Sequence, residues 1–146
     1  MQGGVLSRNS TSRRPLVVLD TNMLMLAASG IRVFEQIEEE LESKPEFVVL
    51  RPVYEELVKI ATQSKGITAK RARLALKLVE QYCVVVDYAL KPDESVDDAI
   101  INFATQNRAI VATNDRDLRR RLKQSGVGEA YFREEARRVK VEGYAY

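Results

Sequence analysis

The chain reads as one α/β domain built on a parallel sheet of about five strands with helices over both faces. Three observations predict it. Short apolar runs, the first four with β-branched residues and the last aromatic, recur at Leu16–Leu19, Phe47–Leu50, Cys83–Val86, Ala109–Ala112 and Ala130–Phe132. Segments with helical apolar spacing separate them, which implies right-handed βαβ crossovers around a buried parallel sheet. At 146 residues with 45% apolar and 30% charged composition, the length suits a single globular domain.

Met1 to Arg14 carries Gly, Ser and Arg with little apolar content, and is expected to be a flexible basic tail ahead of a domain over 15–146. Leu16-Val17-Val18-Leu19 is the first strand, ended by Asp20. A turn aspartate capping the next helix is one reading of Asp20; a carboxylate facing the ligand crevice at the carboxyl end of a strand is the other. Leu24, Ala27 and Ala28 begin helical spacing at once. Ile31, Phe34, Ile37 and Leu41 mark the buried stripe of a second helix, with Glu35, Glu38, Glu39, Glu40 and Glu42 on its solvated side.

Pro45 closes the connection to the second strand, and Pro52 suits the first position of a third helix, where a missing N–H is harmless. Val53, Tyr54, Leu57, Ile60 and Ala61 pack that helix, and Gln63–Gly66 breaks it. Thr68 is placed as the cap of a fourth helix running to about Gln81. Leu74, Leu78 and the alanines are expected inward, with Lys70, Arg71, Arg73 and Lys77 outward. After the third strand, Ser95-Val96-Asp97-Asp98 has the form of a capping box that opens a fifth helix ending near Asn107. The fourth strand is ended by Thr113-Asn114-Asp115. A strongly basic sixth helix runs to Gln124 and stops at Gly126. Tyr131 and Phe132 belong to the fifth strand as core residues. The remaining residues are amphipathic and match neither period cleanly.

Composition excludes several chemistries. The single cysteine, Cys83, permits no internal disulfide and no Cys-rich zinc module, and packs in the core. There is no histidine, so His general-base catalysis, Ser-His-Asp triads and His-ligated metals are all absent. No apolar run is long enough to span a membrane, and the N-terminus lacks the apolar core of a signal peptide, so a cytoplasmic protein is expected. A net charge of +2 is too small to imply a nucleic-acid partner by itself. Between Asp115 and Tyr146, however, nine Lys/Arg stand against six Asp/Glu.

All parallel strands end on one edge of a sheet, and the following helices start there. That places Asp20 and Asp115 directly after strands one and four, Glu56 in the second turn after strand two, and Asp97 in the first turn of the helix leading to strand four. Four carboxylates converging on one crevice raise one another's pKa values unless a cation offsets them. Oxygen-only ligands favour Mg²⁺ or Mn²⁺ over zinc, and nearby helix N-termini favour a phosphate substrate. Metal-assisted attack of water on a phosphodiester follows as the reaction class. Asp97 shares its helical face with Ile100, Ile101 and Ala104 and should point to the sheet edge, whereas Asp98 should reach back to Ser95.

These residues resemble the motifs of PIN-domain nucleases, in order, from about Pro15 to Arg133. Leu19-Asp20-Thr21-Asn22 resembles the opening motif, Val53-Tyr54-Glu55-Glu56-Leu57 the second, Val96-Asp97-Asp98-Ala99-Ile100 the third, and Ile110–Leu118 the fourth. The resemblance implies a three-layer α/β/α fold and a metal-dependent endoribonuclease leaving 5′-phosphate and 3′-hydroxyl ends. Asp20, Glu56, Asp97 and Asp115 become its catalytic and metal-binding acids. Thr113 corresponds to a supporting hydroxyl and Asp117 to an additional acid, while Asn22 braces the Asp20 turn.

Within the family, the run from Ala112 to Leu118 followed by Arg119-Arg120-Arg121 looks closest to small archaeal proteins akin to a ribosomal-RNA processing nuclease. That relationship implies pre-ribosomal RNA as substrate. Toxins of toxin–antitoxin pairs share the acids and the length, which implies an antitoxin partner instead. A homodimer is plausible on the same resemblance. Arg116, Arg119, Arg120, Arg121 and Lys123 are expected to contact RNA phosphates. Outside nucleases, an inactive RNA- or protein-binding scaffold sits poorly with four intact acids. A haloacid-dehalogenase-like enzyme would want aspartate where Asn22 stands, and no P-loop is present.

Overall fold

The central sheet takes its order from how deeply each strand can be buried. In the computed structural model, which describes residues 14–144, β1 (Leu16–Leu19) has no solvent exposure and lies mid-sheet. It pairs in parallel with β2 (Glu46–Leu50) on one side and β4 (Ile110–Ala112) on the other. β3 (Cys83–Val86) extends the β2 side and β5 (Glu129–Arg133) the β4 side, giving the order β3-β2-β1-β4-β5. The direction of strand succession reverses between β1 and β4, which makes a crevice at their carboxyl ends.

The sheet has a sixth strand beyond the five expected. β6 (Arg138–Glu142) runs antiparallel to β5 after a tight turn at Glu134–Arg137. Its Arg-Val-Lys-Val-Glu alternation is a strand pattern, with Val139 fully buried. The turn carries no glycine to flag a hairpin; Arg137 itself takes the positive φ of 48°.

α1 (Thr21–Ala28), α2 (Val33–Leu41), α3 (Arg51–Gln63) and α4 (Gly66–Tyr82) form one mutually packed group; α5 (Val96–Asn107) and α6 (Arg116–Gln124) form another. The crossovers from β1 through β2 to β3 and those from β3 through β4 to β5 run in opposite directions along the sheet, which places these two groups on its opposite faces and completes three layers. The core runs through both interfaces, from Phe103 and Ile100 of α5 to Leu24, Ile37 and Leu57 of the other layer.

Several local expectations shift. Pro52 is the second residue of α3, still among positions whose N–H lacks a helical partner. α4 opens at Gly66 (φ 67°), so Thr68 lies within its first turn and is not its cap. Ala69, Ala72, Ala75 and Val79 form the buried stripe of α4, whereas Leu74 is 45% exposed. Alanines let α4 approach α3 closely, and the register that buries them turns Leu74 outward. Arg14, assigned to the tail, donates to the carbonyls of Lys44 and Pro45 at 3.0 Å; the rest of the proposed tail lies outside the described residues. Cys83 is mostly buried on the β3 edge, and burial pushes its thiol up to about 12.

The glutamates of α2 are not simply a solvated face. The β6 amides of Val139 and Val141 point away from β5 and donate to Gln36 (2.8 Å) and Glu40 (3.3 Å), and Arg138 pairs with Glu39 at 2.5 Å. Helix side chains therefore satisfy backbone donors that an edge strand would otherwise leave open.

Candidate active site

The crevice at the β1/β4 reversal is lined by Asp20, Thr21, Asn22, Glu55, Glu56, Lys59, Asp97 and Asp115 together with apolar residues of α3 and α5, and encloses about 540 Å³. The four acids selected from the sequence therefore meet in one place, delivered by β1, α3, α5 and the end of β4.

Asp20 does both things its position suggested. Its Oδ1 accepts the Met23 amide at 2.8 Å and caps α1, while Oδ2 accepts the hydroxyl of Thr113. The Asp20 amide still donates to Ala112 (3.2 Å), so the residue is held by the sheet behind it and the helix ahead. It is 8% exposed. Burial, with smaller contributions from the Asp97 and Asp115 charges, pushes its carboxyl up to about 6 against the Thr113 and Met23 hydrogen bonds.

Thr113 is fully buried and bridges two acids. It donates to Asp20 and accepts the Asp115 amide at 3.0 Å, fixing the turn that presents Asp115. Asp115 Oδ1 in turn accepts the Leu118 amide (2.9 Å) and caps α6. Glu56 accepts the hydroxyl of Thr21 at 2.6 Å. Asp97 is half-buried; burial, then Asp115, raises its pKa, with Asp98 and Glu56 adding to the rise and Arg121 opposing it.

Asp98 lies outside this group. It completes the capping box, accepting the Ser95 amide at 3.0 Å while its own amide donates to Ser95 Oγ at 3.0 Å. Its other oxygen takes Arg121 at 2.6 Å. Asn22 is exposed at the crevice rim, and Asp117 is exposed on α6, 3.2 Å from Arg120. Arg119 binds the buried Glu129 and lies over the ring of Tyr131, 3.7 Å from its centroid, which leaves that tyrosine half-buried rather than in the core. Arg116, Arg120 and Lys123 occupy exposed positions along one face of α6.

Thr21, Glu55 and Lys59 were not selected from the sequence. Helical spacing held the signal for two of them, because Glu55 and Lys59 share a face with Pro52 and Glu56. Thr21 had none, since its partner is 35 residues away.

The donor set is entirely oxygen and its charges are mutually repulsive, which suits a hard divalent cation. Among the described residues, no three acids form a ready-made ligand group.

A doubly wound sheet whose reversal crevice is walled by acids from four elements defines an α/β domain with an acidic ligand crevice. The chain belongs to the PIN-like domain family, whose profile matches residues 17–135. It is 35% identical over 115 residues to Ribonuclease VapC4 of Methanocaldococcus jannaschii, covering 76% of this chain and 85% of that protein. It is 32% identical over 131 residues to Ribonuclease VapC9 of Archaeoglobus fulgidus, covering 89% and 92%. Among solved structures it matches the PIN domain endonuclease Utp24 with a TM-score of 0.69 and 26% identity, over 89% of this chain and 92% of that one.

Proposed function

We propose that the protein is an endoribonuclease that uses Mg²⁺ or Mn²⁺ to direct water onto an RNA phosphodiester, leaving 5′-phosphate and 3′-hydroxyl ends. The observation that carries this reading is the group of four carboxylates from four elements in one crevice with Asp20 held near pKa 6. Such a group is costly as a scaffold and apt for a cation. Asp20, Glu56, Asp97 and Asp115 would hold the ion, some of them through its bound water, and when bound it lowers the pKa of water and neutralises charge developing on the phosphate. Thr113 and the Met23 amide hold Asp20 in place, Thr21 orients Glu56, and the Leu118 amide fixes Asp115. Arg116, Arg120 and Lys123 form the outer row available to RNA phosphates. The Asp117–Arg120 pair is solvent-exposed and weak enough to yield to them.

The deciding experiment is cleavage of structured and unstructured RNAs with Mg²⁺, with Mn²⁺ and with chelator. Activity is expected only with metal, and cleavage persisting in chelator would overturn the metal role.

Two cellular settings suit the same chemistry. The Ala112–Leu118 run, through its resemblance to the ribosomal-RNA processing branch of the family, supports processing of pre-ribosomal RNA. The two relatives named ribonucleases support the RNA-cleaving activity, and the acids and length shared with family toxins suit a toxin restrained by an antitoxin. Growth arrest on expression alone, relieved by Asp20→Asn, distinguishes the toxin. Co-purification with pre-ribosomal RNA distinguishes the processing enzyme, and the mass in solution tests the homodimer.

A further inference from the structure

The basic helix α6 is less available to substrate than its composition suggests. Arg119 is bound to the buried Glu129 and stacked on Tyr131, and Arg121 is bound to the capping acid Asp98. Freeing either would leave a buried or structural acid without its partner, so both are fixtures of the β5 and α5 contacts. The crevice itself has a different cation. Lys59 is the only Lys or Arg among the described residues lining it, alongside Asp20, Glu55, Glu56, Asp97 and Asp115.

Lys59 projects from α3 one turn beyond Glu56, on the same face. It is exposed, and no ion pair to it exists among the described residues although five acids share its crevice. Its wall, α3, follows β2; the Arg116–Arg120–Lys123 row is on α6, which follows β4 on the other side of the reversal. A strand crossing the acids from α6 therefore meets a single unengaged ammonium at the opposite rim. A flexible, strongly hydrated point charge of this kind suits a phosphate oxygen without demanding a base identity.

We infer that Lys59 is a substrate-binding residue that grips an RNA backbone phosphate on the α3 side of the acidic crevice, while Arg119 and Arg121 are structural. The inference rests on the ribonuclease reading. It assigns Lys59 to ground-state binding of the strand, so its loss raises KM and leaves kcat nearly unchanged.

The test combines two measurements on wild type, Lys59→Ala, Lys59→Arg and Lys70→Ala, the last removing an exposed charge of α4 away from the crevice. One is the KM and kcat of RNA cleavage with Mg²⁺. The other is the salt dependence of binding to a labelled random-sequence single-stranded oligoribonucleotide, by fluorescence anisotropy in chelator. Lys59→Ala is expected to lower the log–log salt slope by about 0.7 and to weaken binding about fivefold near 0.1 M salt. Lys59→Arg should restore most of both, and Lys70→Ala should resemble wild type. An unchanged slope and KM in Lys59→Ala, beside a wild type that cleaves, would overturn the inference alone. A fall of equal size in Lys70→Ala would also overturn it, since net charge and not the crevice would then set affinity. A wild type that neither binds nor cleaves RNA with either metal would remove the ribonuclease reading beneath it.

Discussion

Thr21 Oγ1 lies 2.6 Å from Glu56 Oε1, a bond from the first turn of α1 to the second turn of α3. It joins the residue after the first acid to the second acid, so two walls of the crevice are set relative to each other by one hydroxyl. Thr21 is 9% exposed and its hydroxyl has a defined partner, whereas Glu56 itself reaches solvent. Thr21→Val keeps the shape and removes the donor. We expect cleavage to fall about tenfold, in the range known for groups that orient metal ligands, with a stability loss of about 1 kcal/mol or less. Thr21→Ser should recover most of the activity; equal activity in Thr21→Val and wild type would reduce the bond to a packing detail.

Asp20→Asn should abolish cleavage, by at least about a hundredfold, yet stabilise the metal-free protein. The folded carboxyl is raised from 3.8 to about 6. The folded state thus holds a proton that the unfolded chain gives up, and stability is lost as pH climbs from about 4 through 6. The rise corresponds to at most roughly 3 kcal/mol, and asparagine still serves as an N-cap. Thermal unfolding in chelator should show the mutant gaining on wild type across that interval and keeping its advantage at neutral pH. Parallel pH profiles would contradict the burial argument.

Asp97→Asn and Asp98→Asn should part company despite adjacency. Asp97 faces the crevice among other acids; its removal should end cleavage and leave the thermal midpoint unchanged or higher. Asp98 holds both the Ser95 amide and Arg121. Its removal should lower the midpoint by an amount comparable to a lost helix cap, with activity largely kept. The Ser95 amide and then Arg121 hold the Asp98 carboxyl below its ordinary value. The midpoint difference from wild type should therefore shrink as pH falls through that depressed value. The reverse pattern, with Asp98→Asn inactive and Asp97→Asn active, would exchange the two roles.

Gln36→Leu removes the acceptor of the Val139 amide. An unsatisfied, part-buried N–H should cost about 1 kcal/mol, seen as a lower urea midpoint at unchanged slope. Glu40→Gln, which retains an acceptor for Val141 and loses only the 3.7 Å contact with Lys140, should be nearly neutral. Equal losses in the two would mean that the Glu40 charge fastens β6 as strongly as amide pairing does.

The parts of this molecule readable from sequence are those whose cause is local. Ser95 and Asp98 are three residues apart, and the capping box is present as expected. The five parallel strands announce themselves through β-branched or, for β5, aromatic runs, and the acids follow because every parallel strand delivers its last residue to the same edge. What was hidden depends on distant partners. β6 alternates correctly but is too charged to stand out without knowing that β5 and α2 receive it. Leu74 reads as core until the small side chains of Ala72 and Ala75 are seen to set the helix register. Arg119 and Arg121 resemble free cations in a basic run, and only Glu129 and Asp98, contributed by other elements, show otherwise. For Asp20 the choice between cap and crevice was false: the carboxylate has two oxygens, and one bonds the helix while the other faces Thr113.

The fastening of α2 to β6 has a kinetic consequence. Gln36, Glu39 and Glu40 are separated from Val139, Arg138 and Val141 by 101 to 103 positions, or 99 for the ion pair. A nascent chain therefore carries an early helix whose partners are translated about a hundred residues later, and the loop that must close spans most of the described residues. The intervening layers can form beforehand from shorter-range contacts, but β5 keeps an open edge until β6 arrives. During synthesis that edge is the surface most exposed to wrong pairing, and the emergence of β6 from the ribosome is the event that removes it.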